Sequence, residues 1–213
     1  MDMARLVRHD TTLNRVTMWS PKPRQSSNDS SHATIEPPHG SPFTRQEYTQ
    51  RRLAGTHELV TEQGYDLASL IEQPITWGHH DHFRHLNNVH TFRFFETGRM
   101  KFIESLVQDL PQGAEESLVR GGKGDTGGVI LSSISARYKR PVMYPDTLIV
   151  GHRVLSISKD RFTLGACCWS FQQQTIVTTG EAVMVCYNYG DLRRMDMTEP
   201  MKAALDKRHY TPN

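Results

Sequence analysis

Between Trp77 and Arg99 the chain reads WGHHDHFRHLNNVHTFRFFETGR, a polar run of aspartate, histidines and paired asparagines that leads into an apolar-periodic stretch. The first backbone N–H groups of a helix lack intrahelical partners, and the aligned peptide dipoles place a partial positive charge there. A helix starting at Asn87 or Asn88 therefore offers a place for an oxyanion, and Asp81 supplies a carboxylate to the same end. An aspartate in such a place is often only a turn former. Its company, His85, Asn87, Asn88 and Glu96 in one strand-turn-helix unit, raises it above that reading. The run also holds ligand types that suit zinc: His79, His80, Asp81, His82, His85 and His90. A zinc-bound water would hydrolyse esters, so a metal-dependent hydrolase is the alternative. The spacing matches no known zinc-hydrolase order, and His152 stands alone downstream.

The elements that position these residues follow from periodicity. Val89, Phe92, Phe95, Phe102, Ile103, Leu106 and Leu110 recur at helical spacing, with Arg93, Thr97, Lys101, Glu104 and Gln108 on the other side. Asn87 or Asn88 is the N-cap, since a short amide side chain accepts from the free N–H groups. Glu96 points along the same side as Asn88, or forms an i,i+3 ion pair with Arg99, and the pair is the preferred reading. A short helix is predicted over Thr44–Leu53, and Asp66–Trp77 leads into a first strand. Four strands follow the long helix: Val129–Tyr138, Thr147–Ser158, Arg161–Phe171 and Thr175–Tyr189. Gly121–Gly128 reads as a loop; it lacks the order of a phosphate-binding loop. A strand, a helix and four strands imply an α+β domain whose mostly antiparallel sheet wraps around one helix.

These residues resemble the small hotdog-fold acyl-CoA thioesterases of the 4-hydroxybenzoyl-CoA thioesterase type. The resemblance covers about Ile71 to Tyr189 and rests on Trp77, Gly78, His79, Asp81, Arg84, His85, Leu86, Asn87, Asn88, Thr91, Glu96 and Arg99, with Arg137–Val142 and Tyr144–Pro145–Asp146 downstream. Three positions depart from the family pattern: His79 replaces its first Asp, Arg84 a Gly and Thr91 a Tyr. The resemblance implies a hotdog fold, an antiparallel β-sheet wrapped around one long central helix, and members that pair edge to edge as dimers. It implies Asp81 as nucleophile or general base, the Asn88 backbone N–H as oxyanion donor, His85 as an orienting group and Asn87 as the helix cap. Thr91 and Glu96 fall in the substrate-binding set, and Arg137, Lys139 and Arg140, with Arg153, face either coenzyme A phosphates or only solvent. The Phe83–Asn88 variant and the long N-terminal arm look like small fungal thioesterases, some of secondary-metabolite (polyketide or peptide toxin) pathways. The implied substrate is an acyl-CoA or carrier-bound acyl thioester, with no cofactor and no resident metal. A hotdog protein that binds acyl thioesters without catalysis is the remaining alternative.

Composition sets the frame. The chain has 213 residues, 37% of them hydrophobic, enough for one ordinary core. A net charge of +2 does not suggest a nucleic-acid binder. No apolar run approaches the roughly 20 residues of a membrane span. Cys167, Cys168 and Cys186 fall in predicted strands, which argues for a reducing compartment rather than a disulfide framework. A cytoplasmic location is expected. Arg5, Arg8, Arg15 and Arg24 among Ser and Thr leave a mitochondrial transit segment as the alternative, against which Asp2 and Asp10 count. The expected organisation is a mobile arm over 1–43, a lead-in over 44–69, the hotdog domain over 70–192 and a tail over 193–213 with a short helix near Thr198–Leu205.

Overall fold

The computed structural model describes residues 36–111 and 127–210. Most of the expected arm, and Gly121–Thr126 of the expected loop, lie outside them. Gly127 and Gly128 do not belong to a loop; they open a strand.

Helix α1, Arg45–His57, starts at a reciprocal cap in which the Thr44 hydroxyl accepts from the Glu47 N–H (3.3 Å) and the Glu47 carboxylate from the Thr44 N–H (2.8 Å). It runs four residues beyond the expected Leu53 and ends in a wide turn over Glu58–Glu62. Strand β1, Ile71–Ile75, stops two residues short of Trp77, because Trp77–His79 forms a tight helical turn. Helix α2, Asn88–Leu106, follows with Asn87 as its cap, and strands β2 (Gly127–Tyr138), β3 (Asp146–Ile157), β4 (Arg161–Ser170) and β5 (Thr175–Asn188) complete the expected order. A two-residue β6, Arg193–Arg194, and helix α3, Glu199–Asp206, close the chain.

The described strands all pair antiparallel, in the order β1-β3-β4-β5-β2, with β6 on β5. This is the hotdog arrangement: a curled sheet around α2. Phe94, Phe95, Phe102, Ile103 and Leu106 of α2 are buried against Leu148, Val150, Val154, Leu164, Ala166, Cys168 and Met184 of the sheet. Each such side chain contributes roughly 1.5–3 kcal/mol on leaving water. The opposite face is covered too, since alternate residues Ile149, Cys167 and Trp169 pack with Tyr48 of α1 and with Leu59 and Tyr65. Burial on both faces explains why Asp146–His152 and Leu164–Phe171 are buried without a break, where one wrapped helix alone predicts alternation. The three cysteines are free and buried. Met201, Ala204 and Leu205 of α3 join the α2 cluster, and Arg208 holds the tail through Asp109 (2.6 Å), Ser105 (2.6 Å) and Asp66 (3.1 Å). No helix among the described residues is long and apolar enough to cross a membrane.

Two expectations for α2 change. Val89 is 59% exposed, and Phe94, assigned no role by periodicity, is buried in its stead. Close packing comes instead at Gly98, where an added Cβ would lie 2.7 Å from His152 Cε1. His152 sits beneath the helix at 0% exposure with both ring nitrogens unpartnered. Burial, reinforced by the nearby Arg99 charge, lowers its pKa to about 3, so the ring is neutral.

Candidate active site

The connection from β1 to α2 is held by its own backbone. The Asp81 N–H donates to the His85 carbonyl (2.8 Å), Arg84 N–H to the Asp81 carbonyl (3.1 Å) and Asn87 N–H to the His79 carbonyl (2.9 Å). Asp81 Oδ1 accepts from the N–H groups of Phe83 (2.8 Å) and His85 (3.2 Å), while Oδ2 has no hydrogen-bond partner among the described residues. Arg84 lies at φ 62°, the left-handed region that a glycine occupies freely. Holding a non-glycine residue there carries a conformational cost of about 1–2 kcal/mol. Leu86 N–H donates to the Val142 carbonyl (2.7 Å), which docks the loop on the segment before β3.

At the helix mouth, Asn87 Oδ1 accepts from Val89 N–H (3.1 Å), and the Asn87 carbonyl from His90 N–H (2.9 Å). The Asn88 N–H has no acceptor among the described residues. It is the orphan donor expected at the first helical position.

A cavity of about 320 Å³ opens here and brings together six of the expected residues: Asp81, His85, Asn88, Thr91, Lys139 and Arg140. Leu86, Pro141, Val142, Thr178 and Tyr138 complete its lining. Periodicity gave no reason to single out Tyr138, yet it restores an aromatic ring that Thr91 lacks. Partial burial raises the pKa of its phenol, opposed by the neighbouring Thr91 hydroxyl. Asn87 caps the helix without lining the cavity. Arg137 faces a separate groove on the other side of the sheet, together with Arg153, Glu181 and one side of Lys139. Glu96 lies in a third hollow along α2.

The expected Glu96–Arg99 ion pair is absent. Three residues on a helix separate directions by about 60°, and here that places Glu96 outward while Arg99 turns under the helix, 5% exposed. The histidines do not converge either: among the described residues no three metal-ligating side chains gather. His79 Nδ1 accepts from Thr76 N–H (3.2 Å) and its ring lies tilted by 42° against that of His90, centroids 4.5 Å apart, whereas His80 Nε2 accepts from Tyr144 N–H (2.7 Å). Burial, then the proximity of His90 and His80, lowers the pKa of His79; an imidazole is neutral or positive in either protonation state, so it does not replace a carboxylate's negative charge.

The model of the thioesterase-like superfamily matches residues 75–205, which spans the loop, α2 and all strands from β2 to β6. The chain belongs to the thioesterase-like superfamily. Its chemistry as a member is thioester hydrolysis. Solved structures share the fold of this thioesterase at low identity. A putative thioesterase from Pseudomonas aeruginosa is 19% identical with a TM-score of 0.54, over 66% of this chain and 99% of that one. The DHNA-CoA thioesterase from Staphylococcus aureus is 16% identical with a TM-score of 0.53, over 65% and 88%. A Staphylococcus aureus protein solved in complex with CoA is 15% identical with a TM-score of 0.55, over 70% and 89%. No curated protein matches the sequence of this thioesterase.

Proposed function

We propose that this thioesterase hydrolyses an acyl-CoA at the mouth of α2, with Asp81 as the catalytic carboxylate and the Asn88 N–H as the oxyanion donor. The observation that carries the reading is that an unused carboxylate oxygen and an unused helix N–H belong to residues lining one cavity. As general base, Asp81 takes a proton from water while the water oxygen adds to the thioester carbonyl. As nucleophile, it adds directly, expels the thiolate and leaves an anhydride that water then cleaves. Either route passes through an oxyanion, and one preorganised donor is worth about 2.7–4 kcal/mol to it. His85 and Thr91 orient the carbonyl and acyl group. Lys139 and Arg140 at the rim meet the coenzyme's phosphates, a role in keeping with the related fold solved with CoA. A carrier-bound substrate from a secondary-metabolite pathway rests on the likeness of Phe83–Asn88 and of the long N-terminal arm to small fungal thioesterases.

The active form we propose is a homo-oligomer joined along β2. That strand ends the sheet order, offers over 12 residues an edge with no strand partner among the described residues, and exposes Leu131 by 40%. The other edge strand, β1, is five residues long and carries Pro74, which blunts pairing.

Turnover of acyl-CoA esters by the purified protein, compared with the same acyl groups on pantetheine alone, tests the reading. A lower KM for the CoA esters, lost in Lys139→Gln/Arg140→Gln, is expected. Equal KM values would remove the phosphate contacts, and no turnover of either series would reduce the protein to a binding role.

A further inference from the structure

Arg99 is a buried cation without an acceptor among the described residues. It is 5% exposed, donates no hydrogen bond to any of them, and its Nη1 is sealed from solvent. Glu96, though near enough to favour its charged form, is exposed and not bonded to it. Withdrawing a guanidinium from water without a counter-charge is strongly unfavourable, so such a group marks a place where an anion arrives from elsewhere.

Its position suggests which anion. Arg99 stands three helical turns below Asn88 and on nearly the same line of the helix, about 16 Å along the axis. The hollow that it lines has a volume of about 390 Å³ and lies between α2 (Val89, Phe92, Arg93, Glu96) and β2 (Leu131, Ile134). The mouth cavity is walled by the same two elements, through Asn88 and Thr91 on α2 and Tyr138 on β2. Both hollows therefore lie on one α2–β2 seam, with the proposed oxyanion donor at one end and the unpaired guanidinium at the other. The walls between are apolar, and the three charged side chains, Arg93, Arg99 and Glu96, leave the groove net positive.

We propose that this groove holds the distal end of an acyl group terminating in a carboxylate, with Arg99 as its ion-pair partner. The proposal rests on the thioesterase reading for the other end of the same substrate. Arg99 is then a specificity-determining residue that selects dicarboxylic over simple fatty acyl thioesters.

The test uses the full chain and two readouts. Decanedioyl-CoA should exceed decanoyl-CoA in kcat/KM by at least about tenfold, the factor that a charge-assisted hydrogen bond supplies. Calorimetry with free decanedioate and decanoate should show the same preference without turnover. Arg99→Met should abolish the preference and Arg99→Lys retain part of it. Glu96→Gln, which removes the groove's carboxylate, should tighten decanedioate binding several-fold and keeps the test valid if Arg99→Met does not fold. Equal binding of the two acids, or binding of neither, in both the unaltered protein and Glu96→Gln overturns the proposal. So does an Arg99→Met protein whose only change is a lost oligomer, since the acceptor would then belong to a second copy. Selective decanedioate binding without hydrolysis of any thioester would keep the groove and sink the thioesterase reading.

Discussion

Two turns built on aspartates meet at the cavity mouth, and they use the same side chain for opposite ends. Asp81, before α2, commits Oδ1 to two loop N–H groups and leaves Oδ2 without a partner among the described residues. Asp146, at the start of β3, is 3% exposed and commits both oxygens: Oδ1 accepts from Thr147 N–H (2.7 Å) and Gln172 N–H (3.0 Å), Oδ2 from the Ser170 hydroxyl (2.5 Å). Burial raises the Asp146 pKa, against which the Ser170, Gln172 and Thr147 hydrogen bonds act. A carboxylate with every oxygen occupied ties segments together, whereas one with a spare oxygen beside a cavity can act on something that enters. The two turns touch, through Leu86 N–H on the Val142 carbonyl and Tyr144 N–H on His80 Nε2, so the tied turn braces the open one.

Substituting each aspartate should separate the roles. Asp81→Asn is expected to lower kcat by about 10²–10⁴, the usual worth of a positioned acid or base, with an unchanged thermal midpoint. Full activity in the variant would erase the distinction between the turns. An acid titration of stability sharpens it from the buried side. His152 titrates near 6.5 when unfolded and at about 3 when folded, so the unfolded chain takes the proton first. Stability is then whole above about pH 6.5 and falls toward pH 3 by about 1.4 kcal/mol per unit. Denaturant midpoints across that range should show the slope reduced in His152→Leu, while an identical slope would mean that other groups carry it. Asp146→Asn should destabilise by about 1–3 kcal/mol through unsatisfied buried partners, as urea unfolding would show, with a smaller effect on kcat than Asp81→Asn. A larger loss of kcat than of stability would place Asp146 in the chemistry.

The open turn was the more legible of the two because its contacts are local. Asn87 caps a helix that starts one residue later, and Asp81 bonds groups two and four residues on, distances at which residue type alone announces geometry. The strands were legible from composition and turn residues, within a residue or two. Tyr138 and Thr178 were not legible as cavity residues, because β2 and β5 bring them to Asn88 only through strand pairing. The Glu96–Arg99 spacing permits an ion pair, but Arg99 also lies four residues after Phe95 and three before Phe102, on the apolar face that the periodicity had already marked. Once Phe95, Phe102 and Leu106 are buried, Arg99 is carried under with them.

The central claim concerns one backbone N–H, and Asn88→Pro removes it alone from the backbone. Proline suits the first helical position, and Asn87, at φ −63° and ψ 133°, already has the extended form that precedes a proline. Steady-state kcat on the best acyl-CoA substrate should fall by about 10²–10³ in this variant while its thermal midpoint holds, with Asn88→Ala, which keeps the N–H, far less affected. A folded Asn88→Pro protein with undiminished kcat would contradict the assignment of the α2 N-terminus as the oxyanion site.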